Sequence, residues 1–302
     1  MKQTKVLLFY KFADIKDTQE FKDKILSFCI NLELKGRIII AKEGINGSVS
    51  GTPIKVNSFK KYLTSFQEFK DISFKEEDCL IHPFKRMVVK IKKEIISFGE
   101  EVDMSQTGVY LSPKEFLEMY NDKESIFLDA RNNYESKAGK FKDSITPNIS
   151  SFKQFKDIVP EIEEYKDKKI VMYCTGGIRC EKASSFLKQK GFEKVYQLKD
   201  GILNFIKEFP DKAWEGKCFV FDKRLLSSGS DLFPCMICRE KTDFHDICTN
   251  KTCTNLIPLC PSCYYSRREF CSSSCAQEHQ KHILKNGIKS SSSFQWKDKI
   301  VN

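Results

Sequence analysis

The run Val171-Met172-Tyr173-Cys174-Thr175-Gly176-Gly177-Ile178-Arg179-Cys180-Glu181 decides how the centre of the chain folds. The apolar stretch Lys169 to Tyr173 reads as a buried strand. Two glycines then let the backbone curl within a few residues. A helix starts near Cys180, with Cys180, Ala183, Ser184 and Leu187 along one side. In that geometry the backbone amides of Thr175, Gly176, Gly177 and Ile178 turn toward the Cys174 sulfur. The helix N-terminus adds positive potential, and Arg179 adds a fixed charge and a bidentate donor fork. Each of these favours thiolate over thiol, and the thiolate is the nucleophile. A persulfide, an oxyanion or a phosphate would sit well there. A purely structural cysteine at a strand end accounts for Cys174 but not for the Thr-Gly-Gly-Ile-Arg that follows it.

Working outward, Ser112-Pro113-Lys114-Glu115 reads as a capping box with proline at the first helical position. Ile126 to Ala130 and Lys194 to Leu198 read as further strands. Strands alternating with helices imply an α/β domain with a parallel sheet, spanning residues 105–216 and ending near Trp214. Asp129 and Arg131 fall at a neighbouring strand end, where sites on such sheets are built. They either orient the loop or substrate or form a structural ion pair. Cys180 is either a thiol that resolves an oxidised Cys174 or a small residue on the inner helix face.

Residues 1–104 alternate strand and helix signals differently. Lys5 to Tyr10 reads as a strand, and Asp17 with Glu20 as a capping box for a helix carrying Phe21, Ile25, Phe28, Cys29 and Leu32. Gly36 to Ala41 is a second strand. The glycine-punctuated run Glu43 to Gly51 reads as a turn leading into a short strand. Thr52-Pro53 opens another helix, and Ile81 to Ile96 contains a last strand. The order β-α-β-β-α-β predicts an α+β ferredoxin-like sandwich of acylphosphatase type. From Arg86 to Lys92 the residues alternate. Arg86, Val88, Lys90 and Lys92 share one face, and Met87, Val89 and Ile91 the other. The basic face is left for solvent or phosphates. The turn from Lys42 to Gly47 either presents amides to a phosphate or is a plain hairpin.

Eight of the thirteen cysteines lie between Cys235 and Cys275 within residues 217–302, spaced Cys235-x2-Cys238, Cys248-x4-Cys253, Cys260-x2-Cys263 and Cys271-x3-Cys275. Such short pairs bring two thiolates to one tetrahedral ion, so eight make two structural zinc sites, paired in order or cross-braced. His245, His279 and His282 are possible substitute ligands, and disulfides are the rival reading. Lys251, Arg267 and Arg268 would place positive charge beside this module. The polar, basic tail from Lys281, with Ser290 to Ser293, is expected to be mobile or to order only on a partner.

With 302 residues, 40% of them hydrophobic, the chain is long enough for two or three domains with real cores. A net charge of +10 suits an acidic partner such as nucleic acid, although lysine-rich usage alone explains it as well. No stretch approaches a membrane span, and Lys11 interrupts the short apolar run at the N-terminus, so a cytoplasmic location is expected. In a reducing compartment, cysteines point to metal and catalysis. No flavin or nucleotide fingerprint and no iron-binding His-His-carboxylate set is visible, so neither cofactor is expected.

The loop resembles the rhodanese family, and CTGGIRCEKAS from Cys174 is more closely similar to the rhodanese-domain tRNA uridine hydroxylases. The resemblance extends to Phe127-Leu128-Asp129-Ala130-Arg131 with Tyr134-Glu135, and to Gly139-Lys140-Phe141 with Ile145. It extends also to Ala41-Lys42-Glu43-Gly44-Ile45-Asn46-Gly47 and to Arg86 through Ile95. It covers nearly the whole chain. Lys140 stands where a histidine is often found, so no role is carried to it. The resemblance implies a rhodanese domain whose Cys174 serves oxygen-dependent formation of 5-hydroxyuridine at the wobble position of tRNA. Dioxygen would be the co-substrate, tRNA the partner, and no stable protein partner is implied. Cys174 would add to C6 of the uracil or carry a transient oxidised sulfur. Lys42, Arg86, Lys90 and Lys92 become candidate RNA contacts. Rhodanese sulfur transfer through a persulfide is the main alternative, and a non-enzymatic regulatory rhodanese module is another. Phosphatase chemistry fits less well, because only four residues separate Cys174 from Arg179 where a phosphatase loop has five.

Overall fold

The computed structural model describes residues 4–79, 83–210, 212–220, 225–226, 233–242, 244–250, 252–253, 255–266 and 270–285. The N-terminal part is a five-stranded sheet with two helices. Its elements run β1 (Thr4–Phe12), α1 (Thr18–Asn31), β2 (Lys35–Ala41), β3 (Gly44–Gly51), α2 (Pro53–Thr64), β4 (Ser73–Cys79) and β5 (Met87–Ile91). The strand order is β4-β1-β3-β2-β5, with β5 parallel to β2 and the other pairs antiparallel.

The β-α-β-β-α-β order is present, but its last strand is β4 and not a strand after Ile81. β4 reads SFKEEDC and lacks apolar alternation because ion pairs hold this edge strand. Glu76 meets Lys5 of the adjacent strand at 3.3 Å and also pairs with Lys60. β5 is an added strand beyond the sandwich.

Two local readings also change. The predicted glycine turn is mostly strand. Ala41 pairs with Gly44, so the turn is only Lys42-Glu43, and residues 44–51 form the middle of the sheet. Of the two readings of Lys42 to Gly47, the geometry is that of a hairpin, its amides from Gly44 onward being committed largely to ladders with β1 and β2. The capping box at Asp17 is half made. Asp17 accepts from the amides of Gln19 and Glu20, while Glu20 pairs with Lys24 at 2.6 Å.

β1 is buried on both faces, as strand alternation permits. Leu7 and Phe9 join Ile25, Ile38, Val49 and Phe59 in the core under the helices. Val6 and Leu8 point the other way, into a cluster with Val171, Tyr173, Ile202 and Phe205. Each such side chain contributes roughly 1.5–3 kcal/mol on burial. The N-terminal sheet is therefore packed onto the central part of the chain.

That central part runs β6 (Val109–Leu111), α3 (Pro113–Tyr120), β7 (Ser125–Asp129), α4 (Asn133–Ala138), β8 (Gly139–Phe141), α5 (Val159–Ile162), β9 (Lys169–Tyr173), α6 (Ile178–Gln189), β10 (Val195–Leu198) and α7 (Gly201–Glu208). Its sheet is parallel, in the order β6-β10-β9-β7. Ser112 and Glu115 make the expected capping box. β11 (Trp214–Gly216) returns to pair antiparallel with β8. Helix α6 starts two residues before Cys180 and is enclosed on all sides. Arg179, Glu181 and Lys182 are buried along with its apolar residues.

In the C-terminal part, β12 (Cys218–Phe219) is followed by short ladders that pair Phe233–Pro234 with Lys241–Thr242 and His245–Ile247 with Leu256–Pro258. Helices α8 (Pro261–Ser266) and α9 (Ser273–Lys285) complete it. Lys281 is thus helical, not the start of a tail. Lys251, Arg267, Arg268 and Ser290 to Ser293 lie outside the described residues. No described helix is long and apolar enough to cross a membrane.

Candidate active site and cysteine clusters

β7 and β9 are neighbours, with Asp129 opposite Tyr173, so their C-terminal ends bring Asp129 beside Cys174. The loop after β9 is held from several sides. Gly177 has φ +98°, a conformation that L side chains rarely adopt, and its N–H lies 3.1 Å from Cys174 Sγ. Gly201, at φ +72°, lets the start of α7 pass so close that a Cβ would stand 2.5 Å from the Cys174 carbonyl oxygen.

Burial by itself works against a charged Cys174. A hydrogen bond from the Cys180 thiol, the Arg179 charge and the amides of Cys180 and Arg179 outweigh it and hold the thiol down at about 5. Burial pushes the Cys180 thiol well above its ordinary value, and its bond to Cys174 adds to the rise. The pair therefore consists of a thiolate and a thiol donor. The sulfur of Cys174 is fully enclosed.

The Arg179 fork is not free for an incoming anion. It is bidentate to Glu135, with Nη1 to Oε2 at 2.6 Å and Nη2 to Oε1 at 2.8 Å, and Nη2 also donates to Thr175 Oγ1. Glu135 occupies the third turn position of α4, where its carboxylate also accepts from the Asn132 amide. Burial opposes its charge, but Arg179 more than compensates and holds the carboxyl below its ordinary value. Asp129 and Arg131 form a fully buried bidentate pair, and Arg131 Nη2 also donates to the Gly139 carbonyl at 2.6 Å. Of the two readings of these residues, the geometry is that of a structural ion pair bracing the loop.

Lys42, Arg86, Lys90 and Lys92 are all exposed. The Lys92 amide donates to the Ile40 carbonyl, which sets it near the end of β2 that leads to Lys42. Met87 and Val89 pack inward as expected, whereas Ile91 is exposed.

All thirteen cysteines are free thiols. Eight converge in two groups, Cys235, Cys238, Cys260 and Cys263 in one and Cys248, Cys253, Cys271 and Cys275 in the other. The pairing is cross-braced. Within each group the sulfurs all lie within 4.8 Å of one another. Cys238–Cys260 and Cys271–Cys275 are both 3.5 Å apart. Four sulfurs around zinc at about 2.3 Å stand roughly 3.8 Å apart, so each group fits a tetrahedral ion. No histidine belongs to either group.

Known proteins resemble this chain along its length. Residues 4–95 match the UPF0176 acylphosphatase like domain, residues 112–208 the rhodanese-like domain and residues 215–276 the rhodanase C-terminal domain. A tRNA uridine(34) hydroxylase from Legionella pneumophila (strain Paris) is 45% identical over 230 residues, 74% of this chain and 91% of that protein. Those of Cytophaga hutchinsonii and Staphylococcus carnosus are 37% and 38% identical, covering 93% and 94% of this chain and 92% and 93% of theirs. The chain belongs to the tRNA uridine(34) hydroxylase family. The acylphosphatase-like sandwich, the rhodanese domain with its parallel sheet and the metal-competent cysteine module expected from sequence are all present.

Against this hydroxylase family framework, four residues near the loop escaped the sequence reading. Glu135 clamps Arg179, and its place three residues after Asn132 in a capping box was the available signal. Lys182 is buried between Glu43 (2.9 Å) and Glu94 (2.8 Å) of the N-terminal part. Glu181 accepts from Tyr10 at 3.0 Å and from Tyr110 at 2.7 Å. Charged residues throughout the first turns of α6 leave it no ordinary apolar stripe, which hinted at an enclosed helix. Nothing in the sequence pointed to Tyr10.

Proposed function

We propose that this protein is an oxidoreductase that hydroxylates C5 of the wobble uridine of tRNA with dioxygen as co-substrate. The observation that carries this reading is a thiol held down at about 5 by its surroundings, in a chain 37–45% identical to proteins of that name. Cys174 is the nucleophile and adds to C6 of the uracil, which makes C5 electron-rich toward oxygen. The Arg179 charge and the amides of Gly177, Arg179 and Cys180 keep the sulfur anionic. Asp129 and Arg131 brace the loop from the neighbouring strand. Cys180 is the thiol donor to Cys174. The second route is a transiently oxidised Cys174 sulfur, which Cys180 would resolve.

tRNA contacts are assigned to the exposed cations Lys42, Arg86, Lys90 and Lys92, where phosphate binding would be salt-dependent. The eight clustered cysteines are read as ligands of two structural zinc ions, which supply folding energy to residues 217–302. Residues 1–104 then serve tRNA binding and residues 105–216 the chemistry, in the cytoplasm.

The test is nucleoside mass spectrometry of tRNA from cells with and without the gene, followed by reaction of the purified protein under isotopically labelled oxygen. Gene-dependent 5-hydroxyuridine carrying the label supports the reading. Unlabelled or absent hydroxyl, together with sulfur transfer in a thiosulfate–cyanide assay, would replace it with sulfurtransferase chemistry.

A further inference from the structure

The loop around Cys174 is roofed by a tyrosine from the first strand of the chain. The Tyr10 hydroxyl is so close to Gly177 that a Cβ there would stand 2.7 Å away, and Gly177 is the residue whose amide meets the Cys174 sulfur. The same hydroxyl donates to Glu181 Oε1. Glu181 Oε2 accepts from the Tyr110 hydroxyl and from Gln197 Nε2 at 3.4 Å. Glu181 is only 6% exposed, and among the described residues no ion pair includes it. The adjacent cation, Lys182, is occupied by Glu43 and Glu94. Tyr110, by contrast, is 50% exposed and connects the cluster to solvent.

A buried carboxyl without a cation, beside a thiolate, is expected to keep its proton, because two anions in one dry site repel; in that state the Tyr10–Glu181 hydrogen bond reverses, with the carboxyl donating to the phenol oxygen and the Tyr10 proton free for another acceptor. Burial pushes the Glu181 carboxyl up against the hydrogen bonds it accepts, and the charge on Cys174 adds to the rise. Burial likewise pushes Tyr10 well above its ordinary value, and the charges of Glu181 and Cys174 add to it. When the sulfur forms a bond and loses its charge, that repulsion disappears and the carboxyl can ionise.

We propose that Tyr10 and Glu181 form a proton relay for the uracil ring, with Tyr10 as the donor, Glu181 as its proton store and Tyr110 as the path to water. The relay rests on the reading of Cys174 as a nucleophile toward C6. In the step, the sulfur lone pair forms the S–C6 bond and the C5=C6 pair becomes a C4=C5 bond. The C4=O pair takes the Tyr10 proton at O4, and Tyr10 regains a proton from Glu181. One negative charge thereby moves from Cys174 to Glu181, and C5 is left as the electron-rich carbon of an enol. No oxidant enters this step. The relay also explains why the N-terminal sheet is packed onto the loop, since Tyr10 comes from β1.

The step can be read without oxygen. With the full-length protein and tRNA in deuterium oxide under anaerobic conditions, the enol takes a solvent deuteron at C5, and reversal returns uridine labelled there. Wild-type protein should exchange the C5 hydrogen of the wobble uridine, and Cys174→Ser should not. Tyr10→Phe, which keeps the ring in its packing, and Glu181→Gln, which keeps the side chain's shape, should each slow exchange about 10²-fold or more with tRNA affinity unchanged. The ionisable groups facing Glu181 are Tyr10 from β1, Tyr110 from β6, Cys174 at the end of β9 and Cys180 on its own helix. Burial pushes both tyrosines, Cys180 and Glu181 upward, whereas Cys174 is held down. Wild-type exchange should therefore fall as pH rises through the Glu181 value, and Glu181→Gln should lose that limb. Wild-type rates in both variants would overturn the relay while leaving C6 addition in place. Absence of exchange in the wild type would overturn C6 addition, and the relay with it.

Discussion

The Cys174 loop and the C-terminal cysteine module both concentrate sulfur, and they stabilise its charge by different means. Around Cys174 the stabilising groups are fixed parts of the fold, namely amides, the Arg179 guanidinium and a thiol donor, and one sulfur is held anionic at about 5. In the module the neighbours of each sulfur are chiefly other sulfurs. Hydrogen bonds hold one thiol of each cluster down against burial, Cys235 at about 6 and Cys271 at about 7, and burial with bonds to these neighbours pushes Cys253 up to about 12 and Cys263 up as well. A lone thiolate held by preorganised dipoles is ready for covalent chemistry. Four crowded thiols become four thiolates only around a divalent cation, which then makes them inert ligands.

The sharpest way to break this comparison is to remove the metal. Each chain should carry two zinc ions, one per cluster. Chelation should unfold the C-terminal module at a cost on the order of 10 kcal/mol per site. The thiolate absorbance of Cys174 near 240 nm should survive in the remaining fold. Metal analysis and circular dichroism report the first effect, and a difference spectrum against Cys174→Ser reports the second. Protein purified under reducing conditions without metal, yet fully folded, would erase the contrast.

Next in size is loss of the nucleophile. Cys174→Ser should lower hydroxylation by more than about 10⁴-fold while leaving both metal sites loaded. Cys235→Ser should do the reverse, with lost metal and stability but normal turnover per folded molecule. Equal loss of turnover in both variants would mean that the two regions do not divide the work as described.

A third probe concerns the salt bridge that fixes the loop. Glu135→Gln leaves the Arg179 charge buried without its partner and should cost roughly 3–5 kcal/mol in denaturant unfolding. The released Arg179 charge should lower the Cys174 midpoint further. An upward movement would show that Arg179 stabilises the thiolate only when clamped.

The smallest effect is a shift of titration. Cys174 has a folded value depressed below that of an unfolded thiol. Its ionisation therefore stabilises the fold fully above the ordinary thiol range, and this contribution is lost as pH falls through about 5. Cys180→Ala removes one donor and should raise the midpoint. An unmoved midpoint would assign the stabilisation to Arg179 and the amides alone.

How much of this was readable in advance follows from range of interaction. The loop was legible because its determinants lie within a few residues. Thr-Gly-Gly-Ile-Arg specifies its own turn, and Ser112 with Glu115 makes its own cap. The cysteine spacings announced two metal-competent groups but not which knuckles pair, because the cross-brace is decided by chain reversals between Cys238 and Cys260. β4 was invisible since its stability comes from Lys5 and Lys60 rather than from a hydrophobic pattern. The glycines of β3 read as a turn because local propensity favours it, yet pairing with β1 and β2 overrides that preference. Most hidden were Tyr10 and Glu181, 171 residues apart and joined only by packing of the two sheets.

Strand β1 has two allegiances, and this bears on how the chain is made. It leaves the ribosome before the residues it packs against, with Leu7 and Phe9 able to find shelter once α2 has emerged. Val6 and Leu8 must wait for Ile202 and Phe205, almost two hundred positions later, a delay of roughly 10–40 s at ordinary rates of synthesis. During that interval the nascent sheet shows an oily back to its surroundings, so this is the stage at which a chaperone would have most to protect. Once the last of these partners arrives, the halves lose their independence, and heating should melt them together.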